Sequence, residues 1–516
     1  MTLSSKKKQA IRFASMETIA QVMGVVLSVP TSFLMAALLG PALLGGLRIV
    51  ALVKRYAAYA NLGFIKGFRR QYALAHSAGD PAAPDIEAVG FTAIGLSSLL
   101  SIGVVLIVYA GVADVGGALS GTAAALLVAI LVVERLYAFL VVRAQSQGRF
   151  DPTAYASIVL RVVEPLLILV GLLWLGLNGV ILAWLLIPLL GVLVVWFYQR
   201  DFIPRFRFDG HRLLNIMRDG FTQYLDGLFT DLINTLGLAL SVLYLSATQV
   251  GIYAYAEAAF ALSNSLPLSL QSLFLKSMMD LRAGKSDLDA RRRLSSLLTT
   301  PLTLYVLLVT LTAGTLYLGY TFLIPILLPR FIDAVPVMGI LLFAQTMNTS
   351  QGYITQYFVA TNQIGRSALI SGLWAFLTYL IIRFALESSA NPLTLAFAVS
   401  LALLGYTTVF LTVALRQVLG WRNAVWRQAR YWAASGCITA IVLALHYTKW
   451  IPLPQPDFLS ILVGGGIETL LDWAIFVSSC LALYTVLFAE ERVGHELRQI
   501  GSYFGRKLAL LRPRFR

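Results

Sequence analysis

Apolar stretches of about twenty residues recur along the whole chain. We read fourteen of them, at 12–37, 42–68, 88–111, 116–142, 154–176, 178–199, 219–245, 250–275, 297–319, 334–360, 367–386, 393–415, 431–448 and 459–488. About twenty apolar residues in a helix match the hydrocarbon thickness of a bilayer. Inside lipid every backbone N–H and C=O needs a partner within the protein, which leaves helices or closed barrels. Runs this long, without two-residue alternation, are helices. The expected fold class is therefore an all-α integral membrane protein of about 14 transmembrane helices. Composition agrees: of 516 residues 58% are hydrophobic and 13% charged, about half the charge of ordinary soluble domains. That excludes a soluble enzyme, a disordered chain or a nucleic-acid-binding domain as the main reading. Several spans exceed twenty residues, and Pro30, Pro165, Pro188, Pro267 and Pro336 lie in or near spans. Tilted and kinked helices are expected.

The net charge of +15 reports orientation. With the N-terminus in the cytoplasm, 32 of the 40 Lys and Arg residues fall in cytoplasmic loops, nearby helix ends and the two termini. The opposite side holds only Arg330 and Lys449, and six lie inside spans: Arg48, Lys54, Arg55, Arg135, Arg161 and Arg383. This asymmetry places both termini in the cytoplasm. The start, MTLSSKKKQAIRF, runs into the first apolar stretch without a small-residue cleavage site, so it reads as a first transmembrane helix. The tail from Glu490 to Arg516 is basic with interspersed Leu, Phe and Tyr. It suits either an anionic membrane surface or a frayed terminus. Cys437 and Cys480, both in apolar stretches, cannot build a disulfide framework.

The chain repeats itself. Segments Leu39–Asp80 and Leu245–Asp287 each place a glycine shortly after a helix–helix turn (Gly45, Gly251), and each reaches a basic loop containing Asp. A second echo pairs Ala144–Arg149 (AQSQGR) with Ala360–Arg366 (ATNQIGR), each after the fourth span of its half. Two parallel six-helix bundles related by an internal repeat are expected, 1–205 and 206–420. Two additional transmembrane helices (421–490) and a basic cytoplasmic tail (491–516) follow. Two related bundles facing each other are a transporter architecture, with the substrate path between them.

The turn Leu39-Gly40-Pro41 with Gly45, followed by a long helix with a basic end, resembles the start of Wzx-type polysaccharide and O-antigen flippases. These belong to the multidrug/oligosaccharidyl-lipid/polysaccharide exporter (MOP) superfamily. Ala247-Thr248-Gln249-Val250-Gly251-Ile252-Tyr253 and Asn362-Gln363 with Gly365-Arg366 are similar to turns of the same family. The resemblance spans roughly residues 5–490 and rests on topology and turn residues. It implies translocation of undecaprenyl-pyrophosphate-linked oligosaccharide repeat units across the bacterial cytoplasmic membrane, without cofactor or resident metal. It transfers no binding site residue by residue. Lipid II flippases of the superfamily also have fourteen spans but usually carry an Arg-rich first helix, where this chain has only Arg12 and Glu17.

Charged groups inside a bilayer are costly unless paired or wet, so they are site candidates. Arg48, Arg55, Tyr59 and Lys66 fall within about 40° of arc if span 2 is one helix. Such a stripe suits a pyrophosphate, with Arg giving bidentate and Lys point-charge contacts and Tyr59 meeting a sugar. Pairing with carboxylates on neighbouring helices is the other reading. Arg135 is a further cavity candidate, and Arg161 with Glu164 is expected to form a local pair. On span 7, Gln223, Asp226 and Thr230 share one face, and Asp231 and Asn234 another. Tyr253, Glu257, Asn264 and Gln271 form a polar stripe on span 8, and span 10 adds Gln345, Thr349 and Gln356. Asp226, Asp231, Glu257, Asn264 and Gln345 are candidates for sugar binding or for taking up the H+ or Na+ that drives transport. Interhelical hydrogen bonding is their alternative role.

Other classes lack their signatures. There is no GxxxxGK[ST] phosphate loop, and His76, His211, His446 and His495 have no metal-ligand spacing. Asp287-Leu288-Asp289 sits in a short basic loop, and the outer connections are too short for a glycosyltransferase or polymerase. The expectation is a non-enzyme. A cation-coupled multidrug antiporter of the same fold is the runner-up. Contact with a polysaccharide polymerase or another assembly protein is compatible with either.

Overall fold

The computed structural model describes residues 3–112, 120–259, 287–447 and 458–488. Among these, every long element is a helix: α1 Leu3–Ala58, α2 Phe64–Ala78, α3 Ala83–Val112, α4 Gly121–Ser146, α5 Asp151–Tyr198 and α6 Gly210–Tyr244. Residues 247–259 form α7. Then come α8 Asp287–Leu327, α9 Ala334–Ala360, α10 Ile364–Ser388, α11 Pro392–Leu419, α12 Trp421–Tyr447 and α13 Phe458–Leu487. Eight of the described helices are long and apolar enough to cross a membrane. The chain is a multi-pass membrane protein with an all-α fold.

Helix α5 has 48 residues, or about 72 Å at 1.5 Å per residue, more than twice the hydrocarbon core. It folds back on itself. Gly176 leaves the helical region (φ 58°, ψ −132°), and the backbones of Gly171 and Gly179 pack directly on each other. A Cβ on Gly179 would lie 1.8 Å from the Gly171 carbonyl oxygen. Helix α1 breaks in the same way at Gly40 (φ 69°, ψ 174°). With α1 and α5 each divided, the helices approximate the fourteen expected spans.

Helices α1 to α5 pack mainly on one another, as do α6, α8, α9, α10 and α11, while α12 and α13 lean on α8, α9 and α11. Tyr431 of α12 bonds Thr303 of α8 (3.0 Å), and Phe476 of α13 covers Gly314, where a Cβ would meet its ring at 2.2 Å. Large apolar side chains such as Ile107, Trp174 and Phe384 point outward, as lipid contact requires.

The two repeat echoes coincide in structure. At the end of α4, Gln147, Gly148 and Arg149 donate backbone N–H groups to Arg143, Gln145 and Ala144. At the end of α9, Thr361, Asn362 and Gln363 do the same to Tyr357, Val359 and Phe358. The middle residue of each turn is left-handed, Gly148 at φ 73° and Asn362 at φ 56°, and each closes a helix C-terminus. The glycine echo meets face to face. A Cβ on Gly45 would lie 2.2 Å from the Ala247 carbonyl oxygen, and one on Gly251 1.9 Å from that of Pro41. Pro41 precedes Gly45 by four residues, and Ala247 precedes Gly251 by four. The contact is therefore reciprocal, as across a two-fold axis.

Two charge pairings differ from expectation. Among the described residues Arg161 makes no ion pair with Glu164; its side chain instead lies against Gly24, whose Cβ would sit 3.1 Å from Arg161 Cδ. Arg143, counted with the loop charges, is buried in a network with Glu87 (3.0 Å), Gln199 (2.7 Å) and Asp201 (3.4 Å). Arg149 adds a second cation to Asp201 at 3.0 Å. Burial disfavours the Asp201 carboxylate, but the charges of Arg143 and Arg149 outweigh it and hold its pKa below the usual carboxylate value.

Candidate functional site

Span 2 is not one helix. α1 ends at Ala58, a single 3-10 turn covers Tyr59–Asn61, and Leu62 (φ 48°) and Gly63 (φ 84°) are left-handed before α2 starts. The 40° arc drawn through Arg48 to Lys66 assumed an unbroken helix and does not describe the geometry. Asn61 stabilises the break by bonding both ways, its Nδ2 to Ala58 O (3.0 Å) and its Oδ1 from the Gly63 N–H (2.9 Å).

Arg55, Tyr59 and Lys66 nonetheless face one cavity of about 370 Å³, lined also by Asn61, Ile65, Tyr224, Gly227 and Asp231. The opposite wall is α6. Along it, partners occur every four residues, the spacing of a ridge on a helix surface. Thr235 bonds Tyr56 at 2.9 Å. Both Asp231 oxygens accept from Arg55, one from Nε at 2.7 Å and one from Nη2. The Gly227 carbonyl accepts from Tyr59 (3.3 Å) and the Gln223 carbonyl from Lys66 (2.6 Å). Asp219 accepts from Gln71 (3.0 Å). The absence of a side chain at Gly227 admits Lys66, whose Nζ would lie 3.0 Å from a Cβ there.

Two contacts close the ends of this wall. At one end Gly45 and Gly251 meet as described. At the other, a Cβ on Gly67 would lie 1.8 Å from Ile216 O, and one on Gly220 2.1 Å from Gly63 O.

Arg48 lies deeper, its Nε buried without a hydrogen-bond partner. Glu257 of α7 is within electrostatic reach of both Arg48 and Arg55, with no ion pair to either among the described residues. The cavity thus sets Arg55 of α1 and Lys66 of α2 opposite Asp231 of α6. Lys54 lies outside the cavity lining and pairs with Glu134 at 2.9 Å.

Arg135 is a correction: it does not line the cavity. It is 4% exposed, and its guanidinium donates to Ala57 O (3.3 Å), Ala58 O (3.1 Å), Ser97 Oγ (3.2 Å) and Ser101 Oγ. Those carbonyls are released by the break at 59–63, and a cation there meets the negative end of the helix. Asp226 also turns away from the cavity, into the packing of α6 on α10, where Ser367 Oγ donates to it at 2.6 Å. Nearby Gln351 joins Thr230 (3.2 Å) and Tyr406 (2.9 Å), and Ser371 meets Tyr406 (2.8 Å). Gln345 is half-buried on α9, where its carbonyl accepts from Thr349 (2.9 Å). Asn264 and Gln271 lie outside the described residues. Among the described residues no cluster of His, Cys, Asp or Glu could hold a metal.

Sequence reasoning found the cations and Asp231 but missed the ridge at 219, 223, 227, 231 and 235. Two of its members, Gln223 and Gly227, act through backbone, as does Gly220 beside them, which leaves no chemical signature in sequence. The glycines themselves were the available signal, since Gly63, Gly67, Gly220 and Gly227 sit in otherwise apolar or polar helical segments.

No family model matches the sequence, and no curated protein matches it. Solved structures do. One is the lipid II flippase MurJ in an inward closed conformation (TM-score 0.63, 12% identity), covering 91% of this chain and 98% of that one. Two others are inward- and outward-facing forms of a multidrug resistance MATE family transporter of the MOP superfamily. Their TM-scores are 0.56 and 0.54 at 14% identity, covering 81% and 80% of this chain and 99% and 96% of those. At these identities the likeness establishes the fold, which this chain shares with transporters and flippases.

Proposed function

We propose that the chain is a flippase for polyprenyl-pyrophosphate-linked oligosaccharide, working by alternating access in the bacterial cytoplasmic membrane, for O-antigen or exopolysaccharide assembly. The observation that carries this reading is the cavity wall of Arg55, Tyr59 and Lys66, which presents a guanidinium fork, an ammonium and a phenol to an anion. A cavity of about 370 Å³ accommodates a pyrophosphate head, not a whole oligosaccharide, so the bundles must part to load it. The lipid tail stays in the membrane, and both termini lie in the cytoplasm, as the charge asymmetry indicates. Rocking of residues 1–205 against 206–420 exposes the cavity to one side and then the other. Asp226 and Glu257 are our candidates for the coupling H+ or Na+, and the chain itself performs no bond chemistry.

A lipid II flippase is the second reading. What favours it is coverage: the MurJ match takes in 91% of the chain, against 80–81% for the MATE structures. The deciding experiment deletes the gene, extracts polyprenyl-linked lipids and assays surface polysaccharide. Accumulated pyrophosphate-linked repeat unit with loss of the surface polymer supports our reading. Accumulated lipid II with growth arrest supports the second. Unchanged lipids with new sensitivity to cationic drugs means an antiporter, and both fail.

A further inference from the structure

We propose that Asp231 is an internal stand-in for the substrate anion: it occupies the Arg55 fork in the empty protein and is displaced when a pyrophosphate binds. The inference rests on the anionic-substrate reading above and deepens it. A carboxylate and a phosphate present the same two-oxygen edge to a guanidinium. Asp231 uses that edge fully, with each of its oxygens on a different nitrogen of Arg55. The fork therefore cannot serve Asp231 and a phosphate together.

The surroundings favour exchange over a permanent pair. Asp231 belongs to α6 and Arg55 to α1, on opposite walls of the cavity. The pair is the only direct ion pair that crosses between these walls among the described residues. Arg55 is half exposed (50%) and Asp231 at 14%, so water and a ligand reach the guanidinium. Glu257 stands near Arg55 and Arg48 without claiming either, so Arg55 keeps a second acid within reach when Asp231 is displaced. The consequence is a lock that senses occupancy. Without substrate, Asp231 ties the walls together. With substrate, the tie is traded for an Arg55–phosphate contact, and only hydrogen bonds remain between the walls.

The test is a double-variant cycle on the full-length protein in lipid nanodiscs, reading the Kd of inorganic pyrophosphate and of a short-chain polyprenyl pyrophosphate. Asp231→Asn should bind about fivefold tighter than wild type, in line with the strength of a partly exposed pair. Arg55→Ala should bind at least tenfold more weakly. Asp231→Asn combined with Arg55→Ala should bind no tighter than Arg55→Ala alone, because the gain comes through the freed guanidinium. If Asp231→Asn tightens binding equally with and without Arg55, the effect is general repulsion and the exchange is overturned. Unchanged or weaker binding by Asp231→Asn overturns it too. Asp231→Ala supplies the same comparison if the Asn variant does not accumulate. Absence of binding by wild type as well would overturn the anionic-substrate reading beneath it.

Discussion

Arg135 holds the chain's sharpest local compromise. All four of its hydrogen bonds go to neutral oxygens, so its charge is balanced by the carbonyl end of α1 and two serine hydroxyls. It fastens the end of α1 to α3, next to the break at 59–63, and so fixes where Tyr59 and Arg55 point. Arg135→Gln should lower the protein's stability by about 1.5–3 kcal/mol, the range for hydrogen bonds to a charged group, and reduce transport. Arg135→Lys should recover part of the stability, since an ammonium still meets the carbonyls but cannot span all four oxygens. Thermal unfolding of the purified variants reads both, and two wild-type melting curves would sink the assignment. The sequence marked Arg135 as a charge in the membrane but misdirected it to the cavity. Half of its partners are backbone carbonyls, and these become available only because Leu62 and Gly63 leave the helix. By contrast Arg55 and Asp231, both candidates in the sequence, do line the cavity, and a charge in an apolar span is visible one residue at a time. Their pairing was not, since it depends on how α6 crosses α1.

At the scale of elements, glycine decides where helices turn and how closely they pack. The division of α5 was legible: two apolar runs meet at Gly176, and the pair is too long for one crossing. The break at 59–63 was not read, although Asn61 and Gly63 are turn residues, because the apolar pattern on either side continues across it. Two fragments of a helix cost the stripe its simple arithmetic and returned it as a cavity wall. Where the backbones of Gly171 and Gly179 touch, no side chain can be added without parting the two arms of the hairpin. Gly179→Ala should therefore destabilise by about 1–3 kcal/mol or more, the range for overpacking, and lower the amount of protein in the membrane. Gly148, in an open turn with nothing within 4 Å of a Cβ, controls for position. Gly148→Asn should be tolerated, because Asn362 holds the same left-handed geometry at the matching turn. Quantifying both variants in membranes checks the contrast, and equal loss would mean that crowding is not the cause.

For the whole molecule, the two glycine contacts close opposite ends of the same wall. Both are shut in this structure, on either side of a cavity lined by charge. Backbone against backbone leaves no slack: a methyl at 1.8 or 1.9 Å from a carbonyl oxygen cannot be relieved by rotating a side chain, so the helices must move apart. Each glycine therefore controls one closure and not the other. If the bundles rock as proposed, Gly251→Ala should hold open the end at Gly45, which the charge asymmetry places outside. Gly67→Ala should hold open the end at Gly220, which it places inside. A cysteine introduced at Ile65, which lines the cavity, reports the difference once exposed Cys437 is replaced by Ser, since Cys480 is buried. A membrane-impermeant thiol reagent should label Ile65→Cys faster from outside in the Gly251→Ala background, by several fold. In inverted vesicles the faster label should appear with Gly67→Ala. Labelling that rises on the same side in both backgrounds would mean that the glycines merely loosen the packing. The opposite assignment of sides would turn the topology over while leaving the two closures intact. Only a molecule whose ends open one at a time gives crossed results, which is why the pair of variants, and neither alone, tests the transport cycle.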